Sequence, residues 1–318
     1  MGAVAAASRT LSALVLLLAA ASAATACEPA RGPLDAPVAL VLSGGGAKGA
    51  WEAGAAAALI EAGVPVHLVA GSSAGALNAA MLVDGRLDRL QALWRSLSRE
   101  QVFALRPGVF FAGLLPGWLT LLALDGAGSL FDPAPLRDLI ASTLDLERIR
   151  VSRRRLLVVT TDLVHRVPRV FDNATVSVDA LMAAAAVPGA FPPVAVGGVL
   201  LVDGGLTGRA PVLEALATDV LVGRALVLLS YAADEVGQAP TRLRRTLEES
   251  FETAMVHQIR RDAELAGFRH PGVDVQVLTP ATPLRLRPLE FDTAGMAEAL
   301  ARGRADARHC LERWQGTR

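Results

Sequence analysis

Apolar residues fall in short unbroken runs, each followed by glycine and then by a stretch rich in alanine. The first run, Val38–Leu42 (VALVL), feeds Gly44, Gly45 and Gly46, and the small apolar residues of Trp51–Ala62 then suit a closely packed helix. Val66–Ala70 repeats the plan, passing through Gly71-Ser72-Ser73-Ala74-Gly75 into a second helical stretch. Runs that are apolar at every position fit strands buried on both faces, and two strand–turn–helix units in succession require helical crossovers. A parallel sheet is therefore predicted. A helix from Pro133 to Leu144, a strand at Arg155–Thr160, a helix near Val178–Ala186 stopped by Pro188 and a strand at Val199–Val202 continue the alternation. A buried strand within Val220–Ser230 follows. Leu243, Leu247, Phe251, Met255 and Ile259 then form one helical stripe, and a strand at Val273–Leu278 and a helix at Thr293–Trp314 close an α/β chain.

Two regions depart from this pattern. Segment 102–128 is rich in large apolar residues but is interrupted by Pro107, Gly108, Gly113, Pro116 and Gly117, so it cannot form one regular element. It reads either as a meandering cover over the core or as an apolar lid, a lipid-entry or membrane-facing surface built from Phe110, Phe111, Leu114, Leu115 and Trp118. The N-terminus carries Arg9, an apolar run from Leu11 to Ala21 and then Ala24-Thr25-Ala26-Cys27, which reads as a signal peptide over residues 1–26 of an exported protein. Two processing routes fit. Plain cleavage after Ala26 releases a secreted or periplasmic protein, whereas lipidation of Cys27 anchors a bacterial lipoprotein at the membrane. A lipidated Cys27 excludes a disulfide with Cys310, the other cysteine, and that pairing is the less favoured alternative. Residues 27–37 read as a linker and 38–314 as one domain.

Composition narrows the function classes. The 318 residues are 52% hydrophobic, and 31 basic residues balance 31 acidic ones to a net charge of zero, with no footprint of a nucleic-acid binder. Lys48 is the only lysine, and it sits inside the glycine loop. No set of His, Cys or acidic residues has metal-ligand spacing, so neither a metal nor a cofactor is expected.

The chemistry concentrates at three glycine-bearing turns. Gly44-x-Gly46-x-x-Gly49 is formally a dinucleotide fingerprint, but the next strand ends in Gly71-Ser72-Ser73 rather than in the acid that would grip a ribose. A phosphate-binding P-loop also fails, because Lys48 is followed by Gly49 instead of Ser or Thr. The second turn reads G-x-S-x-G, which places Ser73 on a sharp strand-to-helix turn with Gly71 and Gly75 clearing the crowding around it. The bland alternative is a helix N-cap serine. Backbone N–H groups from Gly45 and Gly46, with Gly44 shaping the loop, would form an oxyanion hole on the neighbouring strand, and Lys48 either adds positive potential or is a surface charge. Asp203, delivered by an apolar strand into Gly204 and Gly205, is a better base than His165, His257, His270 or His309, none of which has a persuasive setting; His67 reads as packed within its strand.

Taken together, GGGAKG, GSSAG, AAAAVPGAFPPV (183–194) and DGG resemble, in order and spacing, the patatin-like phospholipase family, over roughly residues 38–310. The resemblance implies a three-layer α/β/α sandwich with a central, mainly parallel sheet. It also implies a serine–aspartate dyad without histidine, with Ser73 as nucleophile, Asp203 as base, Gly44–Gly46 as oxyanion loop and a lipid or phospholipid ester as substrate. Lys48 stands where arginine is frequent in that family, Ala184 where serine is frequent and Arg209 where asparagine is more usual. Two other readings remain: a Ser–His–Asp esterase needing His257, His270 or His309, and a non-catalytic envelope protein that binds acyl chains.

Overall fold

The computed structural model describes residues 27–316 apart from 29–30, 32, 34, 113–118, 120–124, 127, 234 and 236–238. The signal-peptide residues lie outside the described residues, as do Leu114, Leu115 and Trp118 and the side chains of Phe110 and Phe111. The elements run β1 (Val38–Leu42), α1 (Gly49–Glu61), β2 (Val66–Gly71), α2 (Ala74–Asp84), α3 (Leu87–Ser96), β3 (Ala104–Leu105), α4 (Pro107–Ala112), β4 (Phe131–Asp132), α5 (Ala134–Thr143) and α6 (Leu146–Arg150). The second half continues β5 (Arg155–Asp162), β6 (Val167–Phe171), α7 (Val178–Ala184), β7 (Val194–Val196), β8 (Val199–Asp203), α8 (Val212–Leu216), β9 (Arg224–Leu228), α9 (Leu243–Arg269), β10 (Asp274–Leu278) and α10 (Thr293–Gly316).

The central sheet is ordered β10-β9-β1-β2-β5-β8-β7, with β6 along the other edge of β5. Strands β10, β9, β1, β2 and β5 are mutually parallel. Alternate residues of β1 divide between two cores, as a period-two strand requires. Val38, Leu40 and Leu42 pack with α1, α2 and α10 on one face, and Ala39 and Val41 with α8 and α9 on the other. This is the three-layer α/β/α sandwich expected from the sequence. On the first face α1 and α10 touch backbone to backbone: a Cβ on Gly303 would lie 2.0 Å from the Trp51 carbonyl oxygen, and one on Gly54 would lie 2.1 Å from that of Leu300. Trp51 Nε1 donates to Asp306 across the same contact, at 2.8 Å.

The strand that ends in Asp203 enters the sheet against the direction of its neighbours. β5 pairs with β2 through Arg155–Val158 and with β8 through Thr160–Asp162, while β6 occupies the opposite edge over Val158–Asp162. β8 therefore fills the slot that β2 vacates where it turns out of the sheet at Gly71. A two-residue hairpin loop, Gly197-Gly198 with φ of 60° and 81°, joins β7 to β8, and such positive angles match the tight turn that reverses a right-twisted strand.

Three expectations need correction. Cys27 and Cys310 form a disulfide that links the N-terminal segment to α10, with Cα atoms 5.7 Å apart, and both residues are buried. A sulfur committed to that bond is not open to lipidation, so the structure disfavours the lipoprotein route; Trp314 Nε1 reinforces the staple by donating to the Glu28 carbonyl at 2.8 Å. The stripe on α9 is only partly a core stripe: Ile259 is buried, but Leu243, Leu247 and Phe251 are 77%, 61% and 49% exposed. A helix of 27 residues outreaches the sheet, and its first turns stand beyond the core. His67 is exposed rather than packed.

The disulfide sets an expected thiol count. Purified protein unfolded without reductant should react with no thiol reagent, and with two equivalents after reduction; protein lipidated at Cys27 would instead show the single Cys310 thiol before reduction.

Candidate active site

Ser73 occupies a strained turn. Its φ of 54° and ψ of −137° lie in a region that L-residues rarely adopt, at a cost of about 1–3 kcal/mol that the surroundings must offset. Bare backbone makes the turn feasible. A Cβ on Gly71 would lie 2.3 Å from the Gly75 carbonyl oxygen, and one on Gly75 would lie 2.5 Å from that of Leu42. Ser73 is the N-cap residue of α2, yet its side chain makes no capping hydrogen bond, which removes the bland reading of this serine. Its main-chain N–H donates to the Ala184 carbonyl at 3.0 Å.

The same segment holds Asp203. The Asp203 N–H donates to the Ala186 carbonyl at 3.0 Å, so adjoining carbonyls at the end of α7 grip both the serine turn and the aspartate turn. Gly204 lets the two turns meet, since a Cβ there would lie 2.1 Å from the Val159 carbonyl oxygen and 3.0 Å from the Ser72 Cβ. Asp203 Oδ1 accepts from the Gly205 N–H at 2.7 Å, whereas Oδ2 is buried without a hydrogen-bond partner. Burial pushes the Asp203 carboxyl above the ordinary aspartate range, opposed by the Arg209 charge, the Gly205 N–H and, most weakly, the Ser73 hydroxyl. The Ser73 hydroxyl thus acts on the Asp203 carboxyl, although no full hydrogen bond joins the two side chains.

The glycine loop lies against the serine turn. A Cβ on Gly44 would lie 2.7 Å from the Ser72 carbonyl oxygen, and Gly44, Gly45 and Gly46 all have positive φ. The N–H of Gly44 is already committed, because both carboxylate oxygens of buried Glu52 accept it at 3.0 Å. Among the described residues the N–H groups of Gly45 and Gly46 donate to no protein acceptor. The Gly44 amide is thus held by Glu52, while the next two amides stay free. Gly49 completes the packing: its carbonyl accepts from Asn78 Nδ2 at 2.9 Å, and Trp94 Nε1 in turn donates to Asn78 Oδ1.

Three contributors escaped the sequence reading, and a fourth, Arg209, was noted there only as a departure from the family pattern. Glu52 also accepts from the Ser43 N–H and hydroxyl, at 2.9 and 2.6 Å, and so fixes the loop from beneath. The carbonyls of Ala184 and Ala186 carry no side-chain signature. Helix α9 reaches the site through Glu252, Met255 and Gln258, the last donating to the Thr207 carbonyl at 3.1 Å. Arg209 is buried and contributes its carbonyl to the Ser72 hydroxyl. Lys48 is neither a surface charge nor a free cation: it is 4% exposed, 3.5 Å from Glu252 and 3.7 Å from the centre of the Tyr231 ring. No hydrogen bond joins any histidine to Ser73 or Asp203 among the described residues; His257 and His309 are exposed, and His165 pairs with Asp162 of its own turn at 2.8 Å. The described residues contain no cluster of potential metal ligands.

Glu52 gives the site a pH-dependent stability. Burial pushes its carboxyl up to about 8, against the hydrogen bonds from Ser43 and Gly44 and the Arg209 charge. Folded protein then keeps this proton at pH values where the unfolded chain has released it, so stability falls as pH rises from the ordinary value of 4.5 towards about 8 and levels off above. Glu52→Gln has no such proton, and its urea midpoint relative to wild type should climb between about pH 5 and pH 8. A constant difference across that range would contradict a buried, titrating Glu52.

Comparisons with known proteins bear on the family of the chain. The family model described as patatin-like phospholipase matches residues 40–216, from β1 to the end of α8, and so takes in all three glycine turns. Uncharacterised NTE family proteins of Mycobacterium bovis and Mycobacterium tuberculosis are 31% identical over 182 residues, 57% of this chain and 46% of theirs. The chain thus spans about half the length of these curated relatives. Among solved structures, VipD from Legionella pneumophila superposes over 90% of this chain and 69% of its own at 16% identity (TM-score 0.47), and the type III effector protein ExoU over 89% and 54% at 18% identity (TM-score 0.38). With more than half of its length matched by the family model, the chain belongs to the patatin-like phospholipase family.

Proposed function

We propose that the protein is a lipid acyl hydrolase of the phospholipase A or lysophospholipase type, using Ser73 as nucleophile and Asp203 as general base. One observation carries the reading: a serine hydroxyl that caps nothing, on a strained turn, acts on the Asp203 carboxyl, one oxygen of which is buried without a hydrogen-bond partner. Buried polar atoms without partners are uncommon, and one beside a strained serine fits a proton acceptor. In the first half-reaction Ser73 Oγ attacks the ester carbonyl carbon while its proton passes to Asp203 Oδ2. The Gly45 and Gly46 N–H groups receive the oxyanion, each such donor being worth about 3–4 kcal/mol in the transition state. Collapse breaks the bond to the alcohol oxygen, which leaves with the proton from Asp203. Water then attacks the acyl-serine, Asp203 accepts its proton, and that proton returns to Ser73 Oγ as the fatty acid departs. Loss of solvent around Asp203 favours this chemistry, because it makes the carboxylate a stronger base than it is in water.

Export to an oxidising compartment accompanies this proposal. The Cys27–Cys310 disulfide supports it, because such bonds persist outside the reducing cytosol. Secretion or periplasmic release fits the engaged Cys27 better than lipid anchoring.

Ser73→Ala and Asp203→Asn should each lower hydrolysis of phospholipid micelles at least about a thousand-fold, and a fluorophosphonate probe should label wild type but not Ser73→Ala. The combined replacement of His257, His270 and His309 should leave activity within about three-fold of wild type. Loss of activity in that triple variant would favour the Ser–His–Asp reading; equal labelling of wild type and Ser73→Ala would remove the enzyme reading.

A further inference from the structure

Arg209 is a buried charged group of the site that the mechanism above does not use. It is 5% exposed, and its guanidinium bridges two loops: Nη1 lies 3.0 Å from the position of a Cβ on Gly205, and Nη2 lies 3.5 Å from that of a Cβ on Gly45. Its recorded side-chain hydrogen bond runs from Nη1 to the thioether sulfur of Met255, at 2.7 Å, a weak acceptor for a full positive charge. Among the described residues no carboxylate comes within ion-pair distance of it, although Asp203 and Glu52 both feel its charge. A buried guanidinium normally meets a carboxylate or phosphate through its planar fork of donors. The site's other buried cation is already engaged, since Lys48 meets Glu252 and the Tyr231 ring.

We propose that Arg209 is the anion receptor of the active site, selecting esters whose leaving alcohol carries a phosphate and holding that phosphate between the Gly45 and Gly205 loops. The proposal rests on the hydrolase reading for its substrate, and it names what that reading leaves open. An ester carbonyl seated at the Gly45 and Gly46 amides would bring the adjoining part of the alcohol towards the Gly45 loop, where Nη2 lies 3.5 Å from the position of a Cβ on Gly45. A neutral glyceride presents nothing there for the charge to meet. Arg209 is in this sense a specificity residue, acting through substrate binding.

The test uses a matched soluble pair, dihexanoyl phosphatidylcholine and dihexanoylglycerol, on the full mature chain. Arg209→Ala should lower kcat/KM for the phospholipid about ten-fold or more relative to that for the glyceride, chiefly through KM, while the fluorophosphonate still labels Ser73. Arg209→Lys should recover part of the loss. Inorganic phosphate should inhibit glyceride hydrolysis competitively in wild type and not in Arg209→Ala, which separates a free phosphate from a lipid headgroup as the bound species. A parallel fall in kcat for both substrates, with the acid limb of the pH profile moved upward, would overturn the proposal and make Arg209 a charge partner of Asp203 alone. Calorimetry on Ser73→Ala keeps the inference independent of turnover: binding of the phospholipid that Arg209→Ala does not weaken would overturn it. Inactive wild type whose phospholipid binding still depends on Arg209 would uphold the receptor while removing the hydrolase.

Discussion

The site depends on two peptide hydrogen bonds at the end of α7, from the N–H of Ser73 to the Ala184 carbonyl and from the N–H of Asp203 to the Ala186 carbonyl. The last carbonyls of a helix have no partner inside it, so they are free to hold other backbone. Here they hold two turns that lie far apart in the chain and approach from opposite directions, one leaving the sheet at Gly71 and one entering it at Asp203. Leaving either N–H buried without an acceptor would cost about 1–3 kcal/mol, which is comparable to the strain stored at Ser73. The strained turn is therefore stable only while the aspartate strand is docked beside it.

Glycine makes that convergence sterically possible. Gly44 against Ser72, Gly75 against Leu42, Gly71 against Gly75 and Gly204 against Val159 are all contacts in which a methyl group would overlap main-chain atoms. Main chain can then carry the loads that side chains carry elsewhere: it supplies the free amides of Gly45 and Gly46, receives Glu52 from below and positions Ser73. Side chains finish the arrangement instead of building it.

How far the sequence reveals this varies with the kind of information involved. The β1 range coincides with its apolar run, and β2 and β5 extend theirs by one and two residues, because strands buried on both faces leave an unbroken hydrophobic signature. The three glycine turns were legible because most of their glycines stand where a side chain would overlap main chain. The direction of β8 was missed, although Gly197-Gly198 between two apolar stretches is a hairpin signal; Asp203 still arrives at the expected rim, because the hairpin carries it back to where β2 leaves. Carbonyl acceptors such as those of Ala184 and Ala186 cannot be read from residue type, since every residue has one. Glu52 was hidden inside an alanine-rich helix, where a single acid reads as a solvent-facing position. The N-terminal cysteine illustrates a different limit: local sequence around Cys27 supports two processing routes, while the partner that decides between them lies 283 residues away.

Burial ties the proposed chemistry to the fold through charge. Desolvation alone would neutralise Asp203 by raising its proton affinity, and an aspartic acid already carrying its proton cannot accept one from Ser73. The Gly205 N–H and the Arg209 charge oppose that tendency, so the carboxyl is more basic than in water without depending on a histidine to mediate the transfer. The same guanidinium also offsets Glu52, which holds the oxyanion loop in shape. A neutral residue at position 209 would leave two buried acids without their shared counter-charge, and both would retain protons to higher pH.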